Sequence, residues 1–204
     1  MWESLGIEGA WKITPKTHPD ERGWFKEGFK QEPFREATGQ DFQVAQMNVS
    51  NSKAGVIRGI HFSILPISQA KYVTAFSGAV LDVIVDIRAG SPTFGKWEAV
   101  LLDSADPTSV YISEGLGHAF MALSDNSTVG YLVSSGYAPG RELGVDPLDP
   151  EIGIEWPTTG LDGEPLTPIL SEKDRKAPTL VEAFEAGLLP DYQEIMEFRE
   201  SLRN

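Results

Sequence analysis

The sequence predicts a mainly β protein, a double-sheet jelly roll with short peripheral helices. Short runs of β-branched and apolar residues recur through the middle of the chain, separated by turn clusters of Gly, Pro and Asp. Helical patterns stand only at the margins of these runs. This arrangement is typical of a jelly roll, whose mouth can hold a small ligand. We expect a single domain over residues 1–204, with the jelly-roll core at about 40–140.

The clearest strand pattern occupies residues 81–88. Apolar side chains stand at every second position from Leu81 to Ile87, and this period of two predicts a long strand with one face in the core. Turn signals rich in Gly, Ser, Asp and Pro then separate it from two further strands, predicted at 97–102 and 110–112. The strands therefore recur at the spacing expected of packed β-sheets.

Two helical patterns flank the strands. The first covers residues 33–38 and is closed by Gly39, a residue that commonly ends helices. The second follows Pro178, where apolar residues recur at positions 180, 184, 188, 192, 195 and 198. We therefore predict a C-terminal helical segment at about 178–202.

The composition restricts the classes of partner and compartment. Thirty acidic residues against 17 basic ones give a formal charge of −13, which argues against extended nucleic-acid or anionic-membrane surfaces. A small anionic ligand remains compatible, since a few arginines can hold a pyrophosphate locally. The chain has no cysteine, and its start lacks the pattern of a signal peptide. A cytoplasmic location is therefore the simplest expectation.

One segment, residues 58–62, carries the first candidate for chemistry. His61 is one of only three histidines and lies in a β-rich apolar run that Lys71 follows. An imidazole in such a position is a candidate base near neutral pH. Farther along, His118, Tyr131 and Tyr137 add a second imidazole and two phenols. A base, a cation and phenols together suit proton transfer at carbon.

Metal binding is the competing interpretation of the histidines. Metal-binding jelly rolls need several converging ligands, and His61 has no second histidine two residues away. His61, His118 and Glu114 could still converge as three ligands. We expect a protein without a bound metal.

Several motifs in order give the chain a resemblance to a known family. They occupy residues 20–25, 55–62, 69–73, 82–88, 91–95, 114–120, 146–147, 156–157 and 170–174. Together they resemble the dTDP-4-dehydrorhamnose 3,5-epimerase family over most of the chain. The resemblance implies a cupin-like jelly roll that inverts a dTDP-4-keto-6-deoxyhexose at C3 and C5 without metal or redox cofactor. It also implies a homodimer, in which edge strands near residues 10–50 could pair across subunits.

By motif position, the resemblance implies roles for individual residues. His61 takes the place of the base and Asp174 that of the carboxylate that orients it. Lys71 is the cation expected near the enolate oxygen, and Tyr131 is the phenol expected to donate a proton on the opposite face. The resemblance places eight further residues in contact with substrate: Arg22, Phe25, Glu27, Gln46, Asn48, Arg58, His118 and Tyr137.

Strand geometry adds a condition to this set. Gln46 and Asn48 are two residues apart and share a face, whereas Arg58 and His61 are three apart and point to opposite faces of an ideal strand. A bulge at Gly59 would bring both to one pocket. The alternative is that Arg58 faces a partner subunit.

Three hypotheses for function therefore stay open. The first is 3,5-epimerisation; the second is a mono-epimerase of antibiotic deoxysugar pathways, which uses the same acid–base set. The third is a metal-dependent cupin oxygenase or a noncatalytic sugar-binding cupin. Residues 62–66 and Gly130 depart from the common family pattern, and these changes could reshape the sugar pocket.

Overall fold

The computed structural model describes residues 1–203, in which two antiparallel sheets form the body of the protein. The strands are β1 Trp2–Ser4, β2 Ala10–Ile13, β3 Thr17–Asp20, β4 Gly23–Lys26, β5 Gln46–Ser52, β6 Ile57–Ser63, β7 Lys71–Ser77, β8 Ala79–Val85, β9 Trp97–Asp103, β10 Ser109–Ile112, β11 Gly117–Ala122, β12 Ser127–Val133 and β13 Glu142–Gly144. The first sheet has the order β1-β2-β10-β7-β12-β5 and the second β13-β6-β11-β8-β9. Strands β3 and β4 form a separate hairpin. The predicted mainly β fold is confirmed.

The main core lies between the two sheets. Val73 and Val129 of the first sheet belong to one cluster of buried side chains with Val80, Ile84 and Phe120 of the second. This is the inward face that the alternation along each strand produces. The sheets also reach beyond residues 40–140. Strand β2 pairs with β10, β1 pairs with β2, and β13 pairs with β6.

Strand β8 differs from its prediction in two ways. Both of its faces are buried: Val80 and Ile84 face the core between the sheets, whereas the predicted core residues Val83 and Val85 pack with the C-terminal segment. The strand also ends at Val85, three residues early. The Asp86 carboxylate explains the early end, because it accepts hydrogen bonds from the backbone and guanidinium of Arg88 and from nearby hydroxyls, which turns the chain.

The helices are α1 Gln31–Thr38, α2 Glu172–Arg175, α3 Leu180–Glu185 and α4 Tyr192–Ser201. Helix α1 ends where predicted, with Gly39 in the left-handed conformation at φ 72°. The C-terminal pattern is two helices rather than one, because Gly187 and Pro190 interrupt it. Within residues 1–203, no helix is both long and apolar enough to cross a membrane.

We predict that Asp86→Ala will lower the free energy of unfolding by about 3–5 kcal/mol, measured by urea denaturation. The Arg88 side chain is fully buried, and the substitution leaves its charge without the carboxylate that it contacts at 2.8 Å. Glu200→Ala is the control, because Glu200 pairs with Arg203 at an exposed site and should contribute little. Equal losses in the two variants would contradict this account.

Candidate active site

A cavity of about 510 Å³ opens between the two sheets and the short helix α2. An adjoining cavity of about 500 Å³ shares several of its walls. His61, Lys71, Tyr131 and Glu142 line both. His61 comes from the second sheet and Tyr131 from the first, so these two groups reach the cavity from opposite sides of the sandwich.

The imidazole of His61 is paired with a buried carboxylate. Its Nε2 lies 2.7 Å from Oδ1 of Asp174, whose side chain is 7% exposed, while His61 itself is 27% exposed. Burial alone would raise the pKa of Asp174, but hydrogen bonding with His61 and Ser171 outweighs it and holds the pKa below its usual value. The carboxylate is therefore ionised at neutral pH. It accepts the Nε2 proton and leaves the other ring nitrogen free to accept a proton.

Helix α2 has only four residues, and its neighbours position Asp174 on it. Ser171 caps the helix, because its hydroxyl accepts the backbone N–H of Asp174 at 3.1 Å. Just before it, Ile169 exchanges backbone hydrogen bonds with Gly55 and Ile57 at the start of β6. The strand that carries His61 thus also holds the segment that carries Asp174.

Lys71 supplies positive charge to the cavity. It is the first residue of β7 and is half-buried in the wall. Burial of the ammonium lowers the pKa of Lys71 to about 8, and the negative charges of Glu142 and Asp82 limit the shift. Lys71 is therefore mostly protonated at neutral pH but loses its charge in mildly alkaline solution.

The second imidazole belongs to a buried pair. His118 is hydrogen-bonded through Nε2 to Oδ2 of Asp82 at 2.8 Å and lies opposite His61 in the β6–β11 register. Burial lowers the pKa of His118 although Asp82 opposes the shift. The ring is therefore neutral at neutral pH, with its proton on the nitrogen that faces Asp82.

Tyr131 stands on β12 directly opposite Asn48 of β5. Burial, followed by the negative charge of Glu142, raises the pKa of the Tyr131 phenol. The hydroxyl thus keeps its proton across the neutral range and can act as a donor.

Gly59 allows Arg58 and His61 to line the same cavity. The β6–β11 register shifts at this point, as the predicted bulge requires. Gly59 has φ 122°, and a Cβ there would lie 2.5 Å from the carbonyl oxygen of His118, so only glycine fits. The Arg58 guanidinium donates to the Ser52 hydroxyl at 3.1 Å.

Gln46, Asn48 and Tyr137 surround the adjoining cavity. Gln46 and Asn48 share a face of β5, as predicted, and the amide of Gln46 donates to the side chain of Asn48. Tyr137 is exposed, with its backbone N–H near the Gln46 side chain.

The family model described as dTDP-4-dehydrorhamnose 3,5-epimerase matches residues 4–182. The chain belongs to this family. It is 56% identical over 199 residues to a dTDP-4-dehydrorhamnose 3,5-epimerase of Streptomyces griseus, covering 97% of this chain and 96% of that protein. The family resemblance in the sequence is thus confirmed, and with it the class of enzyme, an isomerase that acts as an epimerase.

Two solved structures share the fold over nearly the whole chain. The RmlC epimerase of Mycobacterium tuberculosis has a TM-score of 0.94 and 48% identity, with 99% of each chain covered. A 3′-monoepimerase from Streptomyces bikiniensis, in complex with dTDP-quinovose, has a TM-score of 0.92 and 51% identity, with 98% of each chain covered. Double and single epimerases are therefore both close relatives of this family member.

Three residues expected to contact substrate lie away from the cavities around His61. Arg22 and Phe25 belong to the β3–β4 hairpin, where Arg22 pairs with Asp20 and Phe25 is 64% exposed. Glu27 lines a separate cavity of about 280 Å³ and pairs with Lys30. Within one chain, the site brings together nine of the twelve expected residues, all of them lining the two cavities.

Sequence reasoning missed several residues of the site, namely Asp82, Glu142, Ser171 and Lys173. Asp82 carried a usable signal, because a carboxylate within an apolar strand needs a polar partner. The sequence around Glu142 gave no such signal, since this residue follows an irregular loop. Its carboxylate pairs with Lys173 at 3.2 Å beside the cavity.

The three groups considered as metal ligands do not form a ligand set. The Glu114 carboxylate accepts a hydrogen bond from the Ser134 hydroxyl at 3.3 Å, and His118 is engaged with Asp82. Among residues 1–203, no three His, Asp or Glu side chains are grouped as metal ligands.

We predict that one lysine titrates near pH 8 when the 13C shifts of the lysine side chains are followed against pH. The reason is the loss of water around the Lys71 ammonium. Lys71→Met should remove that signal, whereas Lys173→Met, at an exposed position beside the same cavity, should leave it. A Lys71 signal that titrates only above pH 10 would show that the site does not perturb this group.

Proposed function

We propose that this protein epimerises a dTDP-4-keto-6-deoxyhexose at C3 and C5, as the Streptomyces griseus relative is named to do. One observation carries the proposal: a histidine oriented by a carboxylate and a protonated phenol enter one cavity from opposite sheets. Inversion needs this arrangement, because a proton must leave one face of the carbon and another must arrive at the opposite face.

In the first step, the free ring nitrogen of His61 removes the proton from the carbon beside the ketone. The electron pair of the C–H bond moves to the C4 oxygen, which becomes an enolate, and Asp174 stabilises the resulting imidazolium. The ammonium of Lys71 is the cation available for the developing negative charge, and its partial burial strengthens the attraction. His118 is neutral with one nitrogen engaged by Asp82, which leaves the other to accept a hydrogen bond from a sugar hydroxyl.

In the second step, the Tyr131 hydroxyl gives its proton to the opposite face of the enolate. The carbon–hydrogen bond forms as the C4 ketone returns. Tyr131 is then a phenolate that takes up a proton from solvent, and His61 releases the proton that it removed. Each inversion therefore leaves the protein unchanged and exchanges one substrate hydrogen with solvent.

The single-epimerase alternative has its own support. The Streptomyces bikiniensis relative is a 3′-monoepimerase at 51% identity. The acid–base chemistry is the same for one carbon or two, so the outcome depends on which carbons the bound sugar presents to His61.

The nucleotide should be held by Arg58, Gln46, Asn48 and Tyr137, which line the cavities. Arginine suits a pyrophosphate because its planar fork reaches two oxygens at once. In this proposal the enzyme works in the cytoplasm and has no nucleic-acid or membrane partner.

We also propose a homodimer in which the β3–β4 hairpin of one subunit completes the cavity of the other. The hairpin exposes Trp24 and Phe25, and the edge strand β5 exposes Met47 and Val49 at the border of the adjoining cavity. Exposed apolar surface on an edge strand favours pairing with another chain. Such a dimer would bring Arg22, Phe25 and Glu27 to a substrate.

The first prediction for this function concerns His61. In heavy water, the wild-type protein with dTDP-4-keto-6-deoxyglucose should incorporate deuterium at C3 and C5, located by NMR. His61→Ala should reduce incorporation by about 10²–10⁴-fold, since it removes the base. Affinity for dTDP should persist as a check of the fold. Deuterium at one carbon only would establish the single-epimerase alternative, and near wild-type exchange in folded His61→Ala protein would refute the assignment of the base.

Tyr131→Phe should separate proton removal from inversion. The ring and its packing remain, but the donor is lost, so exchange at the His61 face survives while epimerised product falls sharply. Product stereochemistry and deuterium content are measured in the same NMR samples. If Tyr131→Phe shows normal rates of both hydrogen exchange and product epimerisation, another group, such as Tyr137, supplies the proton.

The shared site predicts subunit complementation. Arg22→Ala and His61→Ala proteins, each impaired alone, should regain activity when their subunits are mixed and allowed to exchange. A mixed dimer then holds one complete site, so an equal mixture approaches roughly a quarter of wild-type activity. Light scattering would establish the dimer independently. If the protein is a dimer but the mixture of the two variants regains no activity, the hairpin does not contribute to the partner's site.

A further inference from the structure

A group of buried polar side chains lies outside the two cavities and is not used by the proposed steps. Glu114 is its centre and sits in the turn between β10 and β11, four residues before His118. The Glu114 side chain is 3% exposed. Arg199 reaches the group from helix α4, and it too is buried.

Glu114 is linked by hydrogen bonds to two strands that carry site residues. Its Oε1 accepts from the Ser134 hydroxyl at 3.3 Å, and the same hydroxyl accepts the backbone N–H of Ala70 at 2.8 Å. Ser134 follows the last residue of β12, which carries Tyr131. Ala70 immediately precedes Lys71, the first residue of β7. The backbone ladder pairs β7 with β12 as far as Lys71 and Val133, and the Ser134 hydroxyl adds a side-chain bond just beyond it that Glu114 fixes.

The C-terminal helix brings the positive charge of Arg199 near Glu114. Burial raises the pKa of Glu114, and the charge of Arg199 only partly opposes this rise. The backbone carbonyl of Arg199 accepts the Gln40 side-chain amide at 3.0 Å, which ties α4 to the end of α1. Glu8, 3.9 Å from the Arg199 guanidinium, and Tyr111 are the other titratable groups near this cluster.

Stability alone does not account for this group. Among the described residues, Oε2 of Glu114 and Nε of Arg199 are buried without a hydrogen-bond partner. Incompletely satisfied buried charges often stabilise a protein no better than apolar side chains of similar volume. Such groups can instead specify one arrangement of the elements that they join.

We propose that Glu114 is a positioning residue, which through Ser134 fixes the end of the β7–β12 ladder in the placement that Lys71 and Tyr131 need for the reaction. This inference rests on the proposed epimerase function. Glu114 acts through its neighbours and does not touch the substrate. Because a displacement of about 1 Å can cost about 10²-fold in rate, a small shift between the two strands is sufficient to matter.

The test compares Ser134→Ala and Glu114→Gln with the wild type. Both variants should lower kcat on the order of 10-fold or more, while the affinity for dTDP stays unchanged, because proton transfer needs closer placement than binding. The 13C titration of Lys71 should move away from its wild-type midpoint in both. Ser134→Thr keeps the hydroxyl and should restore both properties.

Ser124→Ala is the matched control. Ser124 accepts the backbone N–H of Ala79 at 3.3 Å, the same kind of bond at the first residue of β8, and neither Ser124 nor Ala79 lines the two cavities. This variant should keep wild-type kcat and Lys71 titration. An equal loss of kcat in Ser124→Ala would overturn the inference, because it would show that any such bond has this effect.

Two results separate the inference from the proposed function. If the wild-type protein shows no exchange or inversion, the function fails, and the Lys71 titration in the variants still tests the positioning. If the wild type is active but folded Ser134→Ala and Glu114→Gln keep its kcat and titration, the positioning role is refuted.

Discussion

The hydrogen bond between His61 and Asp174 is the contact on which the rest of the site depends, and it joins residues 113 positions apart. Asp174 sits on a single helical turn, which is too short to be stable by itself. Backbone bonds between Ile169 and the start of β6 hold that turn in place. Gly55 makes this pairing possible, because a Cβ there would lie 2.3 Å from the carbonyl oxygen of Thr167. The His61 imidazole is thus oriented by the docking of the C-terminal segment on the second sheet.

The two sheets supply different chemistry to one cavity. The second sheet contributes the two imidazoles, His61 and His118, each paired with a carboxylate. The first sheet contributes the ammonium of Lys71 and the phenol of Tyr131. Partial burial acts on these groups in opposite directions, lowering the pKa of Lys71 and raising that of Tyr131. A cavity between packed sheets therefore places the imidazole of His61 and the phenol of Tyr131 on opposite walls and keeps the phenol protonated.

The surface of the single chain also bears on function. The β3–β4 hairpin stands apart from both sheets and exposes aromatic side chains, and β5 lines the adjoining cavity and exposes apolar residues at its border. One edge strand thus borders both the substrate cavity and the proposed dimer contact. This arrangement would couple assembly of the dimer to completion of the nucleotide site, since the same strand serves both.

Local patterns determined a large part of this description. The period of two along β8, the glycine that ends α1 and the bulge at Gly59 were all predictable, because they follow from backbone geometry over a few residues. Ordered motifs identified the family and the residues around His61. The tertiary structure alone decided that both faces of β8 are buried, that Glu142 belongs to the site, and that Arg22, Phe25 and Glu27 lie away from it within one chain. These features depend on contacts between segments distant in the chain, and a local sequence pattern records a residue's conformation but not its distant neighbours.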